Sequence, residues 1–435
     1  MTVYSFPRGG IHFEDATVPA KDAGVIAFLP VLSVIPLAQQ TGTKAQPLVS
    51  VGDYVKEGML IGRARGPLSA NVHATVPGQV VRMVSWEMAG GNSNDALVIR
   101  MEGSFEKLGK PEIRYPWEQM MPSEMQRLIV EYGIVEMEGE GRPLADVFAT
   151  LNAVQEPMSL VVRCVFDDPW LAADYVLCRE RLKAVVEGSV IMSRAGPASR
   201  IVYAVSHKEQ ELGPLLLAES KSWDIPASLV LVGSRYPQRN QRELELVLRA
   251  YEKKEGLELG RLFIQGPATL AAIHDAVTLR KPILDRYIAV GGSAIKTPQV
   301  MKVRIGTRIR DVFAECGGFV KEPRRIAIGS PLLGRTVLDL DEPVMKTSYA
   351  VMALLKGQIG GTVARSCIGC GECRIVCPVG LDPETLFKWI KGGRHDLAGT
   401  AGACHGCGCC EVVCPSRLPL STTILQAGTG ENNHA

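Results

Sequence analysis

Twelve cysteines punctuate a chain of 435 residues, and eight of them fall into two copies of one spacing. The first copy is Cys367, Cys370, Cys373 and Cys377 followed by Pro378; the second is Cys404, Cys407, Cys410 and Cys414 followed by Pro415. Three thiolates at three-residue steps grip three irons of one cubane, and the fourth, just before proline, reaches across to the other cluster. The pattern predicts two [4Fe-4S] clusters, one on Cys367, Cys370, Cys373 and Cys414, the other on Cys404, Cys407, Cys410 and Cys377. Electron transfer is the chemistry such a pair supplies. Zinc is the competing reading, because four thiolates also make a tetrahedral structural site. Structural zinc sites pair two separated Cys-x-x-Cys units, however, whereas here three cysteines step evenly, twice. Cys409, out of step beside Cys410, reads as a spare thiol, and His405 as a surface imidazole near the cluster.

The elements that must position these thiols are short. Asp382-Pro383-Glu384 reads as a helix cap, a first-turn proline and a first-turn acid. Leu386, Phe387 and Ile390 give that helix one apolar face, and Gly392-Gly393 stops it. This module uses under a hundred residues, so the length calls for further domains. A net charge of +2 with 22% charged residues carries no clustered basic stripe, which argues against nucleic acid as a partner. Cys164, Cys178 and Cys316 sit among apolar residues and read as buried small hydrophobes. Thiolate-rich motifs fit a reducing compartment. Met1–Gly10 lacks the basic start and apolar core of a signal peptide, so a cytoplasmic setting is expected. The longest uncharged, mainly apolar run, Gly24–Ala38, is 15 residues and is cut by Pro30 and Pro36. A spanning helix needs about 20 such residues, so any membrane role is peripheral.

Upstream, Val49 to Val84 alternates short β-rich runs with glycine turns, which predicts a small antiparallel sandwich. It resembles the barrel-sandwich fold of biotinyl and lipoyl carriers. The tip, Gly66-Pro67-Leu68-Ser69-Ala70, has no lysine to modify, so a structural or docking role is expected, with His73 packed or surface-exposed rather than catalytic. From about Pro122 to Leu284 helical and strand patterns alternate, predicting an α/β layer with a largely parallel sheet. Its parts are a helix capped by Ser123 and running to Tyr132, strands at Leu160–Phe166, Ile201–Val205 and Leu229–Val232, and helices at Trp170–Val186 and Gln241–Tyr251. Ile288 to Phe319 fits a small ubiquitin-like grasp, with strand Val300–Val303 and helix Ile309–Cys316. Ile328–Gly334 reads as a connector toward the cysteine module, and the tail after Leu425 as disordered.

Sandwich, α/β layer, grasp and dicluster module, in that order, resemble the RnfC subunit of the Rnf ion-translocating electron transport complex over nearly the whole chain. The residues that carry the resemblance are Gly9-Gly10-Ile11-His12, Val72-His73-Ala74, Arg235-Tyr236-Pro237-Gln238 and both cysteine runs. The resemblance implies a multidomain α/β plus β fold. Its parts are a barrel-sandwich hybrid over 1–115, a domain like the complex I flavoprotein over 120–285, an SLBB-like β-grasp over 286–325 and a two-cluster ferredoxin-like α module over 355–425. It also implies a peripheral subunit on the cytoplasmic face of the bacterial inner membrane. There it would dock on integral membrane and iron–sulfur subunits and pass electrons between a soluble carrier and a complex that pumps sodium ions or protons. In the family that carrier is NADH acting through FMN, with Gly133, Gly139, Gly141 and Asp168 as the candidate FMN contacts here. The family's Gly-x-Gly-Gly-x-Gly-Phe-Pro-Thr loop is replaced, however, by Glu136-Met137-Glu138-Gly139-Glu140-Gly141-Arg142-Pro143-Leu144. The family lysine falls at Val147, and Cys164–Trp170 keeps only Asp168-Pro169. Glycines let backbone N–H groups approach a phosphate, whereas three carboxylates repel it. FMN is therefore expected to be substoichiometric and NADH weakly bound, with electrons entering from a ferredoxin-like partner. The related cobalamin reductases place the sandwich after the clusters, the opposite of the order here. A free-standing NADH and FMN diaphorase, and a scaffold that only wires electrons, stay as alternatives.

Overall fold

The computed structural model describes residues 2–87, 93–105, 111–356, 363–394, 396 and 399–428. Met158–Cys164, Ala198–Ser206, Ala227–Val232 and Arg261–Gln265 form, with Val3–Tyr4 at one edge, a five-stranded sheet whose pairings are all parallel. Parallel neighbours need crossovers, and covering helices make both faces of such strands apolar. Val161, Val202, Ala204 and Val230 pack with Leu244, Val247 and Leu248 of helix Gln241–Glu255. The alternate residues Leu160, Val162, Ile201 and Tyr203 join the larger core, built with helices Leu182–Ala195 and Pro267–Thr278. Those two helices touch at Gly188, where a Cβ would lie 1.9 Å from the Leu270 carbonyl oxygen.

Leu32–Pro36, Ser93–Met101, Gly78–Glu87 and Tyr54–Val55 make one antiparallel sheet of the sandwich; Gln46–Pro47, Leu60–Arg63 and Val72–His73 make the other. Ile35, Leu37, Ile61, Val72, Val80 and Ile99 fill the space between them. His73 is buried and stacked on Tyr132, and burial, helped by Lys346, drops its pKa to about 3. It is a packed neutral imidazole. A third sheet runs in the order Arg335–Thr336, Arg325–Ile328, Ala350–Leu354, Asp285–Gly291, Gln299–Arg304 and Gly24–Ile26. Helix Ile309–Glu315 packs on it through Ile309, Val312 and Phe313.

Several local expectations change. Ser123 does not cap its helix, which runs from Pro122 to Glu131; instead Glu124 accepts a hydrogen bond from the Met121 N–H at 3.0 Å. The helix expected over 170–186 is two, Ala172–Glu180 and Leu182–Ala195. Arg181 leaves helical geometry between them (φ −115°, ψ 31°) and makes a two-point ion pair with Asp275 at 2.6 and 3.0 Å. Ile328–Gly334 is not a connector but lies in a hairpin, since Arg325–Ile328 pairs with Arg335–Thr336. Glycine and proline mark turns inside a sheet as readily as between domains. The segment ahead of the sandwich is shared out, Val3–Tyr4 to the parallel sheet and Gly24–Ile26 to the third sheet. Runs of two or three residues are too short to show a period.

In the cysteine module, helix Pro383–Lys391 starts as expected, with the Asp382 carboxylate accepting from the Thr385 N–H at 3.1 Å, and it ends at Gly392. Its apolar core is small: Leu386, Ile390, Ala401 and Ile424. After Leu425 the helix Leu420–Gly428 continues to its end, and the rest of the expected disordered tail lies outside the described residues. Among the described residues no helix is long and apolar enough to cross a membrane.

The helix contact at Gly188 yields a test of this packing. Gly188→Ala should destabilise the α/β domain by about 1–3 kcal/mol, because the added methyl meets backbone that cannot step aside. Exposed Gly256, with nothing within 4 Å of a built Cβ, serves as the control; Gly256→Ala carries only the backbone strain of a positive φ, about 1 kcal/mol. Thermal unfolding of both variants checks the order, and an undisturbed Gly188→Ala would contradict the contact.

Candidate electron-transfer site

The two cysteine repeats fold alike. Each opens a one-turn helix, Glu372–Ile375 or Cys409–Val412, after glycines at positive φ: 68° and 77° at Gly369 and Gly371, 68° and 78° at Gly406 and Gly408. No side chain but hydrogen adopts that backbone freely, and it turns N–H groups toward the thiols. Gly369 N–H lies 3.4 Å from Cys367 Sγ, and Leu381 N–H donates to Cys377 Sγ at 3.2 Å.

The structure brings the eight thiols together crosswise. Cys367, Cys370, Cys373 and Cys414 line one cleft of about 330 Å³, open mouth included. Cys377, Cys404, Cys407 and Cys410 line a second of about 340 Å³, which Cys409 also borders. Among the described residues no three His, Cys, Asp or Glu side chains converge tightly enough to hold a single ion. The thiols surround a space rather than a point, which suits a cubane better than zinc. Burial raises the thiol pKa of Cys373, Cys404 and Cys410. Cys407 goes the other way, its hydrogen bond with Cys409 bringing its pKa down to about 7, and bound cationic iron favours the thiolate form of every ligand. The residues present fit two [4Fe-4S] clusters.

The two cages differ in their surroundings. Cys370 is exposed, and Ile368, which lines the first cleft, is 70% exposed. The second cage is seated on the α/β domain by contacts that explain two of the resemblance motifs. Gly10 N–H donates to the Val376 carbonyl at 2.8 Å, and a Cβ on Gly9 would meet the Cys377 backbone at 2.6 Å. Tyr236 hydroxyl donates to the Cys407 carbonyl at 2.8 Å. His405 is no surface imidazole: it lies 3.1 Å from the Glu243 carboxylate and 3.0 Å from the Asn240 amide, bridging the cage to the domain. Cys409 is fully buried, and the Cys407 hydrogen bond together with burial raises its pKa.

The candidate flavin contacts lie elsewhere. A Cβ on Gly133 would meet the Asn71 carbonyl oxygen at 2.1 Å, and one on Gly141 would meet Thr347 at 2.6 Å, so both sit where chain segments press together. Gly133 carbonyl also accepts from Lys346 Nζ at 2.8 Å, and burial lowers that lysine's pKa to about 7. Gly139 faces open space. Asp168 accepts from the Trp170 N–H at 3.0 Å and so caps a short turn. Two of the loop's carboxylates, expected to face a phosphate, are taken up by partners within the protein. Glu136 accepts from Gln265 at 2.6 Å, and Glu138 is ion-paired with Arg163 and with Arg239. Burial opposes the charge on Glu138, yet the two arginines hold its carboxyl below the ordinary value. Arg163 and Arg239 escaped the sequence reading because they come from separate segments; the one hint was an arginine inside the apolar run Leu160–Phe166.

Four family models match in the order expected: RnfC barrel sandwich hybrid domain over 5–104, Nuo51 FMN-binding domain over 129–275, SLBB domain over 287–346 and 4Fe-4S dicluster domain over 365–418. The RnfC protein of the ion-translocating oxidoreductase complex of Rhodobacter capsulatus is 32% identical over 91% of this chain and 76% of its own length. The corresponding component of the proton-translocating ferredoxin:NAD(+) oxidoreductase complex of Clostridium ljungdahlii is also 32% identical, covering 87% and 83%. The Na(+)-translocating counterpart from Acetobacterium woodii is 28% identical, covering 88% and 86%. In fold, a chain of an NAD+-reducing [NiFe]-hydrogenase matches with a TM-score of 0.50 at 13% identity, over 71% of this chain and 60% of its own.

The crossed cages make a sharp prediction for single-thiol variants. Cys377→Ala should remove the cluster held by Cys404, Cys407 and Cys410, and Cys414→Ala the one held by Cys367, Cys370 and Cys373, each halving the iron content. EPR of the reduced variants decides it: a loss confined to the cysteines nearest in sequence would exclude the crossing.

Proposed function

The chain belongs to the RnfC family of ion-translocating oxidoreductase complexes, and from that premise we propose that it relays electrons between a soluble carrier and the membrane subunits of such a complex. It is an electron-transfer subunit of an oxidoreductase complex, and the other subunits are its partners. We assign the ligands as Cys367, Cys370, Cys373 and Cys414 for the outer cluster and Cys404, Cys407, Cys410 and Cys377 for the inner one. The observation that carries the reading is the contrast between the cages, one seated on the α/β domain and one open at Cys370 and Ile368. When bound, the clusters supply reversible electron storage at potentials set by hydrogen bonds to sulfur and by solvent exposure. The chain's own residues provide both controls. Gly369 and Leu381 direct N–H groups at sulfur, and Tyr236, Gly10 and His405 hold the inner cage against the domain that covers it.

The outer cage is then the exchange point with a redox partner, because electron transfer needs close approach and only this cage presents an exposed cysteine. The proposed soluble carrier is ferredoxin-like, a reading supported by the ferredoxin:NAD(+) names of two relatives. Association with the membrane is peripheral, and the proposed side is the cytoplasmic face of the bacterial inner membrane.

Two measurements test the relay. Anaerobically purified protein should carry about eight irons and eight acid-labile sulfides, as two cubanes require; a stoichiometry near one metal per four cysteines would overturn it. In membranes of the native host, high salt or a mild chaotrope should release the chain. Retention through an alkaline carbonate wash would contradict peripheral docking.

A further inference from the structure

Glu138 lies in the loop that the flavin-domain match covers, and its surroundings are those of a bound anion. The loop turns this side chain inward until it is 8% exposed. One carboxylate oxygen, Oε2, is held by Arg163 and, at 2.8 Å, by Arg239. The other, Oε1, has no hydrogen-bond partner and is buried. It is aimed at the start of helix Pro267–Thr278, where a Cβ built on Gly266 would fall 1.4 Å from it. The N-terminus of that twelve-residue helix carries partial positive charge and free N–H groups, which favour an anion.

The two arginines are fixed for this purpose. Arg163 rises from strand Met158–Cys164 and donates to the Arg239 carbonyl at 3.0 Å, while the Arg239 N–H donates to Asp167 at 3.0 Å. Both guanidinium Nε atoms are buried without a partner. The pair thus has more donors than one carboxylate can use. Two guanidinium forks and a helix start converging on one buried carboxylate are the groups that bind a phosphate. Here the chain itself supplies the occupant.

We propose that Glu138 is a built-in anion that plugs a phosphate-binding pocket, so that the α/β domain holds its fold without a flavin. A group tethered in the pocket competes at an effective concentration on the order of millimolar or above, with no association entropy to lose. Free phosphate or the phosphate of FMN must displace it and also leave a buried carboxylate stranded. The loop therefore does not fit a flavin phosphate. This inference goes beyond the relay reading, and the cluster ligands take no part in it.

The test uses the cluster-loaded full chain, titrated calorimetrically with inorganic phosphate and with FMN. The unmodified protein should carry no FMN and give no binding with either. Glu138→Ala should free both arginines and bind phosphate at least about tenfold more tightly than the unmodified chain. Adding Arg239→Ala to that variant should abolish the gain. If Glu138→Ala does not fold, Glu138→Gln keeps the shape without the charge and should show the same direction. One tightly bound FMN on the unmodified chain would overturn the proposal, as would folded variants at Glu138 with unchanged phosphate binding. Iron content and EPR in the same samples report on the relay separately.

Discussion

Metal–thiolate bonding is the interaction on which this protein's chemistry and its C-terminal architecture both depend. Among the described residues the cysteine module has only small apolar clusters, Leu386, Ile390, Ala401 and Ile424 in one and Leu418 and Leu420 beside the thiols in another, too few to offset the conformational entropy of ordering its loops. Two cages, each using thiols from both halves of the module, close those loops instead. Because the fourth thiol of each repeat crosses over, neither half can be completed without the other, and binding iron becomes part of the folding free energy. The second cage is also a contact surface of the α/β domain, through Gly9, Gly10, Tyr236 and His405. Loss of iron there would loosen the seating as well as the electron path.

The α/β domain satisfies a different constraint. Glu138, Arg163, Arg239, Asp174 and Arg286 bring net-charged groups into its interior, where an unpaired charge is costly. Each is matched: Glu138 by two arginines, and Arg286 by Asp174 at 3.1 Å and by the Met137 carbonyl. The charges come from the loop, from two strands, from a helix and from the segment before helix Gln241–Glu255. They tie that many pieces to one geometry.

The cysteine spacing, the helix after Asp382 and the order of domains were legible because each rests on short-range rules: ligand steps, caps and periodicity. The parallel sheet was legible from the alternation of β-rich and helical runs. What escaped was everything held by distant partners. Nothing near His405 announces Glu243, and no period in Val3–Tyr4 or Gly24–Ile26 announces the sheets they join. The acidic loop was read as unlike a phosphate cradle from its own residues alone, without the partners that the fold brings to it. Seen alone, its carboxylates repel; seen with Arg163 and Arg239, one of them is an occupant.

The opening segment has a consequence for the order of events in synthesis. Its first residues leave the ribosome long before their partners exist: Arg8 hydrogen-bonds to Val379, 371 positions later. Domains fold as they emerge, and contacts that close very long loops form late. Val3–Tyr4 can pair once Ala227–Val232 is made, but Gly9 and Gly10 must wait for the Cys377 turn. The start of the chain thus stays unlatched through most of translation and is fastened last, over a cage whose geometry depends on its cargo. A protein emptied of iron should therefore show its damage at both ends of the polypeptide, with the amino terminus turning accessible to proteases alongside the cysteine module.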